Sequence, residues 1–180
     1  MKQAFLILLV LCVATGIGFL VRLPDHACHD APGKTAFRPQ EFFNGRLESW
    51  GLFQDYTGAA VARFSMQADA SWHGNKGAMH EAFIFADGRH KERQWTFAAA
   101  DDRHFTGTAP DVAGDAKGEA CGNELHWVYT ITLAVGDSEY AVDFDDRLYL
   151  IDKNHLFSKV KIRKWGLPVG RLTMFFEKLK

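Results

Sequence analysis

Turn-forming clusters punctuate this chain about every ten residues, and that spacing restricts what it can fold into. They are Tyr56-Thr57-Gly58, His73-Gly74-Asn75-Lys76-Gly77, Asp87-Gly88, Asp101-Asp102, Gly114-Asp115, Cys121-Gly122-Asn123, Gly136-Asp137, Asp152-Lys153-Asn154 and Trp165-Gly166-Leu167-Pro168. The runs between them are rich in Val, Ile, Thr and aromatic residues. Such a pattern argues for a barrel or sandwich of antiparallel strands rather than βαβ units. No long amphipathic helix, internal repeat or low-complexity tract interrupts it.

Alternation assigns a face to each run. Phe64, Met66, Ala68, Ala70 and Trp72 share one face, as do Met79, Phe83 and Phe85 in the next run, and Trp95 with Phe97 in the one after. Leu125, Trp127, Tyr129, Ile131, Leu133 and Val135 form another such face, followed by Tyr140, Val142, Phe144, Leu148 and Leu150. Consecutive hairpins, each with a single apolar face, close most simply as an up-and-down barrel of about 8–10 strands. A barrel of that size is filled by side chains or holds one small ligand.

The N-terminus is of another kind. From Ala4 to Val21 there is no charge, and Lys2 precedes the run. Residues 1–21 read as a signal anchor or as a signal peptide cut near Ala14-Thr15-Gly16. The apolar run continues through Ile17, Phe19 and Leu20, which favours the anchor, with the membrane as partner through residues 4–21. Cys12 follows Leu11, so a lipoprotein acylation site, which needs a small residue there, is not expected. Residues 22–40, with Pro24, Pro32, Gly33 and Pro39, read as a linker, and 41–180 as the folded domain.

The net charge of −1 predicts no general attraction to nucleic acid. It conceals an asymmetry, because residues 153–180 carry eight Lys or Arg and a single acid, Glu177. Lys159, Lys161 and Arg163 alternate on one face of a strand over 156–164, where they blunt an exposed face or meet anionic lipid head groups. Cys28 and Cys121 could pair in an oxidising compartment, but Cys28 sits in the linker where nothing fixes its position, so the bridge is left open as the less favoured alternative. His26-Ala27-Cys28-His29-Asp30 lacks a second ligand cluster, and no metal or cofactor is expected.

Three charges interrupt the apolar faces. Glu81 falls between Met79 and Phe83, Arg93 precedes Trp95, and Asp146 lies between Phe144 and Leu148. A buried charge is costly unless paired, so these three form structural ion pairs, sit at a wet mouth, or fix a ligand's polar end. With Trp72, Phe83, Trp95, Trp127 and Tyr129 they make up the candidate ligand-binding set. His80-Glu81 lacks the second histidine of a zinc-protease helix, since Ile84 stands there. The histidines at 73, 90, 104, 126 and 155 fall on turns and outward positions and read as solvated.

A series of motifs in order is similar to one known family. It runs through Phe42-Phe43-Asn44-Gly45, Gly51-Leu52-Phe53-Gln54-Asp55, Asp87-Gly88 with Trp95, and Thr106-Gly107-Thr108-Ala109-Pro110-Asp111 continuing to Gly118. Trp127-Val128-Tyr129, Asp145-Asp146-Arg147-Leu148-Tyr149-Leu150 and Val169-Gly170-Arg171-Leu172-Thr173-Met174-Phe175-Phe176 complete it. Together they resemble the bacterial envelope family catalogued as domain of unknown function 3833. The resemblance implies a lipocalin-like (calycin-type) barrel behind an export or anchor segment, with no established activity. Arg147 departs from the family's usual aromatic after the paired aspartates.

The expected location is the bacterial inner membrane with the domain in the periplasm, or the soluble periplasm after cleavage. The leading functional expectation is a binding protein for a small apolar molecule such as a fatty acid or other lipid-derived compound. A ligand losing ~300 Å² of apolar surface gains several kcal/mol before association costs. An enzyme acting on a lipid through Asp146 or Glu81 is the second expectation, and a filled barrel serving as an interaction module the third. No catalytic residue is singled out, and enzymatic activity is the less favoured reading.

Overall fold

A computed structural model describes residues 36–135 and 138–180. The leader at 1–21, most of the linker, Cys12 and Cys28 lie outside the described residues. Among those described, one short helix, α1 (Pro39–Phe42), precedes ten strands. These are β1 (Gly45–Asp55), β2 (Ala60–His73), β3 (Lys76–Phe85), β4 (His90–Ala99), β5 (His104–Thr108), β6 (Ala116–Cys121), β7 (Glu124–Val135), β8 (Ser138–Leu150), β9 (His155–Lys164) and β10 (Leu167–Lys178). Each strand pairs antiparallel with its neighbours in sequence, and β1 pairs with β10, which closes the barrel and leaves no free edge.

The expected faces hold wherever side chains are described. Phe64, Met66, Ala68 and Ala70 of β2 are buried, as are Met79, Phe83, Trp95, Leu125, Trp127, Ile131, Val142, Phe144, Leu148 and Leu150. Inward rings meet glycines on adjacent strands, which lets large aromatics fit inside a narrow barrel. A Cβ on Gly118 would lie 2.3 Å from Trp127 Cε3, and one on Gly51 would lie 2.0 Å from Phe64 Cζ. Those glycines are therefore space rather than flexibility.

Turn chemistry follows the sequence. The Asp101 carboxylate accepts the backbone N–H groups of Arg103 and His104 at 2.8 Å each. Asp152 does the same for Asn154 at 2.8 Å and His155 at 3.0 Å, so the β4–β5 and β8–β9 links are Asx-type turns. The β9–β10 link is a two-residue turn in which Trp165 (φ 53°) and Gly166 (φ 79°) both adopt positive φ. That is the primed geometry matching the twist of paired strands.

One end of the barrel is closed by the segment before β1. Phe37 N–H donates to the Gly122 carbonyl at 2.7 Å, and Phe37 and Phe42 are buried. Phe43 meets Phe176 edge to face at 6.2 Å. The folded unit thus begins ahead of residue 41, with α1 straddling the boundary expected for the linker. Cys121, at this same end, is disulfide-bonded, the less favoured of the two alternatives that the sequence left open; its partner lies outside the described residues.

Candidate functional site

β5 and β6 are the shortest strands, and the barrel wall pays for it with a seam. The β4–β5 ladder runs only from Thr96↔Thr108 to Ala99↔Phe105, so the first half of β4 extends beyond it. The segment 109–115 fills the gap by lying along β7: Ala113 N–H donates to Thr130 O at 2.8 Å and Thr132 N–H to Asp111 O at 2.9 Å. Val112 bridges Ile131. Side chains then complete the wall. Arg93 donates to Asp111 through Nε (3.0 Å) and Nη2 (2.8 Å), and Lys91 Nζ joins at 2.7 Å. A cleft of about 290 Å³ follows this seam, lined by His80, Lys91, Arg93, Gln94, Pro110 and Asp111.

Behind the seam lies Glu81. It stands directly across from Arg93 in the β3–β4 ladder, with Arg93 Nη1 3.8 Å from its Oε2, and Trp95 Nε1 donates to the same oxygen at 3.2 Å. Asp111 takes the bidentate bonds of Arg93, so Glu81 keeps the longer contact and burial dominates. Its pKa is pushed up to about 7 by burial, with Arg93 and Trp95 opposing. At Asp111 the hydrogen bonds from Arg93 and Lys91 outweigh burial and hold the carboxyl below its ordinary value. Burial works against the Arg93 charge, but Glu81 and Asp111 overcome it and keep the guanidinium protonated.

Asp146 is the second buried carboxyl, on β8. Its Oδ1 accepts the Ser158 hydroxyl of β9 at 2.7 Å. Burial pushes its pKa up to about 7, the Ser158 bond opposes, and the neighbouring Asp145 adds to the rise. Tyr129 lies between the two carboxyls. Its ring meets Trp95 edge to face at 5.7 Å and stacks on Phe144 at 5.1 Å. Burial, with Asp146 next, raises the phenol well above 10, so it stays a neutral hydroxyl. The structure therefore joins Glu81 to Arg93 as a pair, while Asp146 has its own partner, Ser158, on the adjacent strand.

The aromatic members of the candidate set divide by height. Toward the α1 end Trp72, Phe97, Trp95 and Trp127 form a continuous packing with ring centroids 5.7–6.0 Å apart. Phe83 packs on Phe64 at 5.4 Å toward the other end. That end has no helix across it among the described residues, and, like Trp72 and Phe97 toward the α1 end, its inward Phe53, Phe85 and Ile162 are partly buried against the core. At its rim Lys164 is 7% exposed. Its Nζ lies 3.7 Å from the Tyr140 ring centroid and 4.6 Å from that of Trp165, and no carboxylate among the described residues comes within 4.0 Å.

Asp111, Ser158 and Lys164 escape a reading of the sequence alone. Lys164 carries a signal that could have found it: the inward alternation Leu156, Ser158, Val160, Ile162 continues onto it. Lys159, Lys161 and Arg163 do project outward from β9, but Arg163 is committed to Asp145 at 2.9 Å. The stripe is thus less basic than its sequence. The outward histidines are paired rather than merely solvated in three cases: His126 with Asp145 (2.9 Å), His104 with Asp101 (2.8 Å) and His155 with Asp152 (2.8 Å). Among the described residues no group of three His, Cys, Asp or Glu side chains is placed to hold a metal.

One solved structure shares this fold, and others are more distantly similar in shape. The fold is similar to that of the S-type phycobiliprotein lyase CPES from Guillardia theta, at TM-score 0.55 and 10% identity, over 80% of this chain and 94% of that one. A redesigned β-barrel aligns at TM-score 0.43 and 8% identity over 79% and 96% of the two chains. A de novo fluorescence-activating β-barrel aligns at TM-score 0.42 and 10% identity over 79% and 99%. These likenesses concern shape alone. Among curated proteins no sequence matches. Residues 25–178 match the family described as protein of unknown function (DUF3833), and the chain belongs to it.

Proposed function

We propose that this DUF3833 member binds a small, largely apolar molecule with an acidic head, such as a fatty acid, in the open half of its barrel. The observation that carries the reading is the contrast between the two ends. The α1 end is plugged by the buried Phe37 and Phe42, whereas no helix among the described residues crosses the other end, where the inward Phe53, Phe85 and Ile162 are partly buried. Apolar walls with a few placed polar groups are what a small-molecule site requires.

Lys164 is the group for the ligand's anionic head. Arg93 is already committed to Asp111 and Glu81, while among the described residues Lys164 is held by aromatic faces and by no carboxylate. An ammonium so placed gains from a carboxylate partner without breaking an existing ion pair. Burial raises Glu81 and Asp146 to about 7, so each is only partly ionised at neutral pH, which lessens the negative charge at the floor of the site.

Native mass spectrometry of the detergent-free protein after exposure to a mixed lipid extract tests this. A one-to-one fatty-acid adduct is expected, weakened about tenfold in Lys164→Gln, the equivalent of roughly 1.4 kcal/mol. Ile162→Trp, which fills the mouth, should abolish it. Apoprotein that stays clean in every lipid mixture overturns the reading.

One observation favours a second reading. Two buried carboxyls with pKa near 7 on either side of a neutral phenol suit general acid–base chemistry on a bound lipid. Turnover of the bound ligand that disappears in Asp146→Asn while binding persists would favour the enzyme.

A further inference from the structure

Two neighbouring hairpins project large apolar side chains into solvent at the open end. β1 and β10 are paired through Asp55↔Gly170, so the β1–β2 and β9–β10 tips lie side by side. The first carries Tyr56, 71% exposed, with Val61 behind it. The second carries Trp165, 81% exposed, together with Leu167 and Val169. Trp165 occupies the left-handed region (φ 53°), which a bulky side chain rarely adopts. Strain of that kind is kept where a side chain must be presented, and here the turn sets an exposed indole at the hairpin tip.

Behind the tips stand cations. Arg63, Lys161 and Arg171 are exposed, and among the described residues none has a carboxylate within 4.0 Å. Arg171 and Lys161 are cross-strand neighbours, and Asp145, opposite Lys161 on β8, is engaged by Arg163 and His126 instead. The Asp55 carboxylate at the same tips is folded onto Thr57 and Ala59.

We propose that these two tips dock the barrel mouth onto an anionic lipid surface. Trp and Tyr rings settle at the level of lipid head groups, and Lys and Arg just behind them draw anionic lipid. The apolar groups protrude separately from convex tips, a shape suited to a deformable bilayer rather than to a rigid protein groove. The docked edge borders Lys164 and the half-buried rings, so a lipid leaving the bilayer would enter the site directly. Only that last consequence rests on the ligand-binding reading.

Fluorescence quenching of the full chain in vesicles tests the docking. Phosphatidylcholine vesicles carry lipids brominated near the head group, with or without phosphatidylglycerol. Phosphatidylglycerol is expected to raise tryptophan quenching about twofold, through the attraction of exposed cations to the charged surface. Trp165→Phe, which removes the reporter and keeps the ring, should eliminate that increment. The pair Lys161→Glu and Arg171→Glu should return it to the level of phosphatidylcholine alone. Quenching unchanged in Trp165→Phe, or insensitive to phosphatidylglycerol, overturns the proposal. Ligand adducts are read separately by mass, so loss of docking with adduct retained refutes this inference alone, and docking without adduct refutes only the ligand site.

Discussion

Ser158 donates a 2.7 Å hydrogen bond to Asp146 from the adjacent strand, and neither side chain reaches solvent to any useful extent. One hydroxyl does not compensate a buried carboxylate, so burial prevails and the acid holds its proton up to about pH 7. The barrel therefore carries a group that works against the fold whenever it ionises.

The sign of the pH dependence follows. Asp146 has an ordinary value of 3.8 and a folded value of about 7, so between those values the folded chain holds a proton that the unfolded chain has lost. Stability falls as pH rises through that window and levels off above it, by at most about 4 kcal/mol for such a shift. Glu81 acts in the same direction, while Asp111 and Asp145, held low by their partners, lose their stabilisation only at more acid pH. Asp146→Asn should be more stable than the parent in urea by about 4 kcal/mol at pH 8, and the gap should narrow steadily on acidification and nearly close by pH 4. Equal losses at both values would contradict the assignment.

The seam at Asp111 gives a second expectation. Asp111→Ala leaves Arg93 and Lys91 without their shared acceptor, at a cost of about 3 kcal/mol, and opens the wall in front of Glu81. Acrylamide should then quench Trp95, which is buried against Glu81, more readily than in the parent. Adding Arg93→Met should recover part of the stability, because the unpaired buried charge is removed with it.

How much of this was legible beforehand depends on whether a feature is local. In a closed barrel every strand has one buried face, so the period of two placed Phe64 through Trp72, and Leu125 through Ile131, on the inside. The same alternation exposed Glu81 and Asp146 as exceptions. Asp111 was hidden because its role depends on β5 and β6 stopping short, which no pattern within the 109–115 loop encodes. α1 is four residues long and is fixed by Phe42 and Phe43 docking on the barrel end, so it has no helical periodicity to detect. Arg163 looked like part of a free basic stripe until the β8–β9 register put Asp145 beside it.

Close ring–glycine packing makes a third prediction. Gly118→Ala sets a methyl against the rigid Trp127 indole and should cost about 1–3 kcal/mol in a thermal or urea titration. In a Trp127→Leu background the same methyl has room. The double variant should be less destabilised than the two single effects added together. Simple additivity would show that the strand, rather than the ring, absorbs the change.

The two ends of the barrel can be separated in one experiment. Phe42→Ala removes a buried ring from the α1 plug and should cost about 3–5 kcal/mol. Its position, beside Phe37 and Phe43 and far along the strands from Ile162, predicts that ligand affinity in the surviving folded protein is unchanged. Ile162→Trp should behave in the opposite way, with little effect on the urea midpoint and loss of the adduct, since this half-buried residue faces the open mouth. Titrating both variants by urea and by native mass spectrometry crosses the two readouts. If Phe42→Ala were to weaken binding as strongly as Ile162→Trp, the ligand would have to reach the packed Trp72–Trp127 layer, and the shallow site would be wrong.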